Sequence, residues 1–315
     1  MDLQERFRGC LLGLAVGDAL GMPVEGLTAV EIKAKFGRVT DMMPASPDHF
    51  HFGLKAGQFT DDTEETLILA KSIIECSGFS GDRFSQKMIE WGRTWAFDEK
   101  LARGAGFATR ASIEQMISGK DWRESGAMIP TCGSAMRSAP VGLLYNCDLS
   151  LVSMYADLQS ISTHCGAPAR AASIAVAAGV ALSLKDFPAK AVLERAAGLA
   201  SRVDREFAER LSWVASLMSL EPQDAFEAIG CSPMASETVP AAFYCFLKFE
   251  PEEALIAAAS NGGDSDSIAS IAGSLIGASK GTSWIPERWL SCLEGRERIE
   301  RVSRDLAGLA SSFCG

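Results

Sequence analysis

The chain has 315 residues, 47% of them apolar and 22% charged, with a formal net charge of −10. Apolar residues run along its whole length, which argues against a disordered chain and leaves room for one large core or two modest ones. No basic stripe is present to follow a phosphate backbone, so nucleic acid is not expected as a partner, and an acidic surface calls for a tolerant partner or local neutralisation by cations.

Nine cysteines are scattered through the chain, at Cys10, Cys76, Cys132, Cys147, Cys165, Cys231, Cys245, Cys292 and Cys314. Their odd number and the lack of a CxxC pair argue against a disulfide framework or a zinc knuckle and for a reducing, cytoplasmic setting. With His49, His51 and His164 as the only histidines, a His-rich zinc site is hard to build. The start, Met1-Asp2-Leu3-Gln4-Glu5-Arg6, is acidic, unlike a secretory signal. No apolar run is expected to span a membrane. Residues 171–184 come nearest, and their alanines, glycine and serines suit a buried helix.

Helical periodicity dominates in chain order. Glu5 to Gly21 carries Phe7, Leu11, Leu14 and Leu20 among Gly9, Gly13, Ala15 and Gly17, a density of small residues that suits close packing. Residues 27–59, with Pro44, Pro47, Gly53 and Gly57, read as a long functional loop. Helices are predicted over Thr63–Ser77, Asp82–Trp95, Ser150–Ser162 and the alanine-rich Ala167–Leu184, which reads as central and buried. Ala189–Ser201, Arg205–Leu220, Glu237–Phe249, Glu252–Ala259 and Ser265–Ser279 follow. Pro188, Pro222, Pro251 and Pro286 punctuate first turns. Strand-like alternation is rare, and no linker or repeat appears, so one all-α domain over residues 1–315 is the expectation.

Two acidic clusters stand at predicted helix starts. Thr60-Asp61-Asp62-Thr63 leads from a loop into a helix, and Asn261-Gly262-Gly263 is followed by Asp264-Ser265-Asp266-Ser267 and an apolar run. An N-cap explains one such side chain in each cluster but not several. Hard oxygen donors in this number suit Mg²⁺, Mn²⁺ or Ca²⁺. If the clusters converged, helix N-termini would offset their repulsion by only about 0.3–1 kcal/mol each. Two cations about 3.5–4 Å apart would make convergence favourable and create a hydrolytic centre.

At these residues the sequence resembles the ADP-ribosylglycohydrolases. The resemblance lies in Phe7-Arg8-Gly9 through Gly17-Asp18-Ala19-Leu20-Gly21, in Gly57-Gln58-Phe59-Thr60-Asp61-Asp62-Thr63, in Gly133-Ser134-Ala135-Met136-Arg137 and in Gly262-Gly263-Asp264-Ser265-Asp266-Ser267, in the family's order. It implies an all-α fold with two Mg²⁺ or Mn²⁺ ions. One would be held by Thr60, Asp61, Asp62 and Asp266, the other by Asp264, Asp266 and Ser267. It further implies hydrolysis of a glycosidic bond between ADP-ribose and an acceptor, free or on a protein, with Glu25, Asp61 and Asp62 carrying the chemistry. Gly104-Ala105-Gly106, Gly133-Ser134 and His164 would contact the ligand, and Asp18 would support the site from behind. Hydrolysis of another ribosyl compound, or binding without turnover, is the alternative. A monomer is expected. Phe59, Cys132, Ser265 and Ser267 depart from the usual Trp, Asn, Thr and Thr, and Glu64 and Glu65 add charge that reads as extra cation attraction or as a cap.

Overall fold

The computed structural model describes residues 1–314, and helix accounts for 68% of the chain. In chain order the helices are α1 (Leu3–Gly21), α2 (Ala29–Phe36), α3 (Asp61–Cys76), α4 (Gly81–Thr94), α5 (Phe107–Ile117), α6 (Gly133–Met136), α7 (Ala139–Leu144), α8 (Leu149–Ile161) and α9 (Ala167–Ser183). The second half adds α10 (Ala189–Ala200), α11 (Arg205–Trp213), α12 (Pro222–Ile229), α13 (Ala235–Lys248), α14 (Pro251–Ser260), α15 (Ser265–Lys280), α16 (Glu287–Cys292) and α17 (Arg296–Cys314). Among the described residues no strand forms. Extended pairing is confined to the isolated bridges Thr28 with Gly262, Ala127 with His164 and Thr131 with Met234. The protein is all-α, and one apolar core extends from Phe7 to Ala310.

The pairing that positions the site is that of α1 with α15. Gly9, Gly13, Gly17 and Gly21 recur every fourth residue, which places them on one face of α1. A Cβ at Gly17 would lie 2.1 Å from the Ala269 carbonyl oxygen, and one at Gly273 would lie 2.0 Å from that of Gly13. The two helices therefore run antiparallel with their backbones in contact, a spacing only glycine permits. At the end of this stripe Gly21 meets the backbone of Asp266, so the C-terminus of α1 and the N-terminus of α15 converge. Helix α9 is buried along Ala171–Ser183, as its alanines suggest.

Several features depart from the sequence reading. The expected loop over 27–59 contains α2, closed by a Thr28–Glu31 capping box that its charged residues obscure. Helices α5, α12 and α17 are also additions to the sequence reading. The stretch Arg205–Leu220 stays α-helical only to Trp213 and then tightens into a 3₁₀ turn over Val214–Ser219. Leu3–Val24, rather than 171–184, is the segment long and apolar enough to cross a membrane, and 94% of its apolar window is buried against the rest of the fold. A disulfide joins Cys147 to Cys314. An odd cysteine count leaves room for one such pair, and the chain brings together residues 167 positions apart.

Candidate active site

The first acidic cluster occupies the opening turn of α3. Asp18 of α1 is fully buried, and its carboxylate accepts hydrogen bonds from Thr60 N–H (2.8 Å), Thr60 Oγ1 (2.9 Å), Thr63 N–H (2.9 Å) and Thr63 Oγ1 (2.6 Å). A residue from another helix thus satisfies the orphan donors that Asp62 or Thr63 would otherwise serve. Burial pushes the Asp18 pKa up, and these four bonds oppose it. Asp61 and Asp62 are thereby released to face the cavity. Thr60 spends its hydroxyl hydrogen on Asp18, and its oxygen caps α3 by accepting from Asp62 N–H (3.4 Å), which leaves one lone pair.

The second cluster is anchored by backbone. Gly262 and Gly263 adopt left-handed φ of +81° and +68°, which a side chain would strain. Gly26 N–H donates to Gly263 O (2.7 Å), Gly263 N–H to Leu27 O (2.8 Å), and Asp264 N–H to Cys231 O (2.7 Å). The loop carrying Glu25 is so tied to the start of α15. Asp264 stands at the N-cap position of α15 but makes no capping bond. Its Oδ2 accepts instead from Thr238 Oγ1 (2.6 Å) and from the Cys132 thiol (3.1 Å). Asp266 Oδ1 accepts from Ser267 N–H (2.9 Å), and Ser267 Oγ donates to Asp62 Oδ2 (3.2 Å).

Asp61 and Asp62 of the first cluster, Asp264, Asp266 and Ser267 of the second, and Glu25 line one cavity of about 260 Å³, whereas Thr60, expected among the metal-holding residues, is fully buried and does not line it. Burial, and then repulsion from neighbouring carboxylates, drives the pKa values of Asp61, Asp62 and Asp266 well above the usual range. Burial and the charge of Asp264 do the same to Glu25. Asp62 Oδ1 is buried without a hydrogen-bond partner. An orphaned carboxylate oxygen among like-charged oxygens is unfavourable unless a proton or a cation meets it, and the donor set fits hard divalent ions.

Of the residues proposed for ligand contact, Gly104, Gly106, Gly133 and His164 line this cavity, whereas Ala105 and Ser134 do not. The Ala105 N–H is spent on Ala102 O, and Ser134 Oγ accepts from the Ser160 and Ser173 hydroxyls inside the core. Gly106 precedes α5 as a cap without a side chain, so the first N–H groups of α5 stay available. Burial pushes His164 down to about 3, leaving a neutral ring. Arg137 Nη2 donates to Thr163 Oγ1 (2.8 Å), whose own hydrogen then points to His164 Nδ1 (2.8 Å). The ring hydrogen is left on Nε2, directed at Thr131 Oγ1 (3.0 Å) at the cavity wall.

The structure also adds residues that sequence reasoning passed over. Glu65 does not cap: it forms a fully buried ion pair with Arg137 (2.5 Å) beneath the site. Glu64 pairs with Arg298 of α17 (2.8 Å). Thr131, Thr238, His49 and His51 surround the acidic residues. The only available signal for the histidines was two of the chain's three lying one residue apart, shortly before Thr60.

An all-helical fold with an oxygen-rich acidic centre at converging helix N-termini marks a class of proteins whose site chemistry suits hard cations. Sequence comparison identifies which one: the ADP-ribosylglycohydrolase profile matches residues 1–313, and the chain belongs to that family. It is 30% identical to the ADP-ribosylarginine hydrolase Tri1 of Serratia proteamaculans, over 97% of this chain and 80% of that protein. It is 26% identical to the ADP-ribosylhydrolase ARH3 of Bos taurus, over 96% of this chain and 92% of that one. A solved structure described as an ADP-ribosylglycohydrolase-related protein complex superposes with a TM-score of 0.78 at 29% identity, covering 98% of this chain and 99% of the other.

Proposed function

We propose that the chain is a metal-dependent hydrolase that cleaves the glycosidic bond between ADP-ribose and an acceptor and releases ADP-ribose. The acceptor is a protein side chain such as arginine or serine, or a small molecule. Family membership and the activities in the relatives' names support the reaction class. The observation that carries the metal dependence is Asp62 Oδ1, buried and unpartnered among four further carboxylates.

Thr60, Asp61, Asp62 and Asp266 would hold one Mg²⁺ or Mn²⁺, and Asp264, Asp266 and Ser267 the other. Bound there, the ions would orient the ribose hydroxyls and lower the pKa of a water. The cavity carboxylates stabilise the positive charge that gathers at the anomeric carbon as its bond breaks. Glu25, whose pKa is raised by burial and by Asp264, hands a proton to the leaving group. The uncapped N-terminus of α5 and the small residues Gly104, Gly106 and Gly133 open backbone N–H groups to the diphosphate.

The test is to incubate the protein with Mg²⁺ or Mn²⁺ and peptides ADP-ribosylated on arginine or on serine, and to follow free ADP-ribose. Release from one peptide and its loss on adding chelator is the expected outcome. No release from either overturns the reaction, and undiminished release in chelator overturns the metal dependence.

A further inference from the structure

Glu25 sits on a loop directly after a 3₁₀ turn over Met22–Val24, and its side chain reaches into the cavity. A long carboxylate on a loop has several rotamers, and a group that must meet a reacting atom loses rate when it wanders. Something has to hold it. In this chain the holder is a second loop, which carries His49-Phe50-His51.

The contacts are three. His49 Nε2 lies 2.7 Å from the Glu25 backbone oxygen. His51 Nε2 lies 2.5 Å from Glu25 Oε2. His51 N–H donates to His49 Nδ1 at 3.1 Å, which joins the two rings' segment into one unit. That bond makes Nδ1 of His49 an acceptor, so its ring hydrogen is on Nε2 and points at the carbonyl. Both rings are buried, at 7% and 5% residue exposure, and burial lowers the pKa of both, that of His51 to about 4. Room for His51 comes from Gly104, whose φ is +90° and where a Cβ would lie 2.4 Å from His51 Cε1. Donor atoms of Glu25, His51 and Asp266 all lie within 4.8 Å of one another, so the grip ends at the acidic centre.

We propose that His49 and His51 are positioning residues for Glu25, gripping its backbone carbonyl and its carboxylate so that the carboxylate is presented to the reacting bond beside Asp266. The part of this that concerns catalysis rests on the hydrolase reading above. Neither histidine touches substrate; both act through Glu25.

Two measurements test it. In Mg²⁺-loaded protein labelled with ¹⁵N-histidine, NMR is expected to show both imidazoles as neutral Nε2–H tautomers. The His51 Nε2 proton should be shifted downfield and released to solvent exchange in Glu25→Ala, while that of His49 persists. A His51 ring bearing its hydrogen on Nδ1, or one indifferent to Glu25→Ala, overturns the clamp. In kinetics, His51→Ala is expected to lower kcat by about 10- to 100-fold, as loss of supporting partners typically does. KM and calorimetric Mg²⁺ affinity should stay unchanged, and His51→Gln, which keeps an N–H donor, should recover part of the loss. In a Glu25→Gln background, His51→Ala should cost little further. Equal losses in both backgrounds, or a weakened Mg²⁺ affinity that makes His51 a ligand, overturn the proposal. If wild-type protein releases ADP-ribose from no substrate, the hydrolase reading fails and the NMR result alone decides the clamp.

Discussion

Ser267 Oγ donates a hydrogen bond to Asp62 Oδ2 at 3.2 Å, joining two acidic clusters 205 residues apart in the chain. The other oxygen of Asp62 is the one with no partner. That pair of facts predicts opposite effects of Asp62→Asn on the two forms of the protein. With cations absent, removing one of several repelling charges should raise the melting temperature, by about 1.5 °C for each kcal/mol relieved in a chain of this size. The stabilisation by added Mg²⁺ or Mn²⁺, and the hydrolysis, should both be lost. Melting curves with and without chelator read out the first, and ADP-ribose release the second.

pH should act in the same sense. Burial, and then repulsion, raises Asp61, Asp62 and Asp266. A carboxyl with a higher pKa folded than unfolded binds more protons in the fold. The stability it contributes is then complete below its unfolded value of about 4 and is lost as pH rises through the folded value. In chelator the protein should therefore melt higher at about pH 5.5 than at about pH 8. With saturating cation the order should reverse, because binding requires the carboxylates to lose their protons. A chelated sample that melts higher at the alkaline pH would contradict the electrostatic account.

Asp18→Ala tests the remote cap. It leaves the Thr60 and Thr63 N–H groups buried and unsatisfied, at about 1–3 kcal/mol each. A fall in the denaturation midpoint should be accompanied by a metal affinity weaker by about 10- to 100-fold, because the turn that carries Asp61 and Asp62 loses its anchor. Calorimetric titration with Mn²⁺ on the folded variant measures the second effect. An unchanged affinity would confine Asp18 to stability.

Gly273→Ala examines the helix pair. The added methyl would meet the Gly13 carbonyl at 2.0 Å, so α15 must shift. Overpacking of this kind costs about 1–3 kcal/mol, occasionally more. Since α15 carries Asp264 and Asp266 at its start, cation-induced stabilisation should shrink as well, although residue 273 lies two turns from them. Comparing melting shifts at saturating Mn²⁺ for variant and wild type checks this.

Cys132 lines the cavity, and its thiol donates to Asp264, with burial and that carboxylate raising its pKa well above the ordinary thiol value. Alkylation proceeds through thiolate. Under iodoacetamide at mildly alkaline pH, the exposed Cys76 and Cys292 should be modified first, with Cys132 well after them. Peptide mass spectrometry over a time course gives the order. Early labelling of Cys132 would show the thiol free of Asp264.

Much of the fold was legible because its signals are local. The α9 segment announces its burial by composition alone, and Pro222 and Pro251 mark their helix starts. Helix α17 was equally legible, since Ile299, Val302, Leu306 and Ala310 recur at helical spacing, and the sequence reading stopped short of it. In the site, the run of hydroxyls and carboxylates in each cluster exceeded what capping explains, and that excess was visible without coordinates. Glu65 shows the limit. Adjacent in sequence to the cluster, it belongs to a different interaction, with Arg137 72 residues away.

By itself the sequence determined the all-α class, the two oxygen-rich helix starts and the close-packing glycines, since each depends on spacing within a turn or two of chain. Only the tertiary structure decided that Asp18 ties down the turn that opens α3, that Ser267 meets Asp62, and that His51 reaches Glu25. Those relationships depend on which helices lie against one another. That choice is made by burial summed over the whole core and leaves no mark in the neighbours of any single residue.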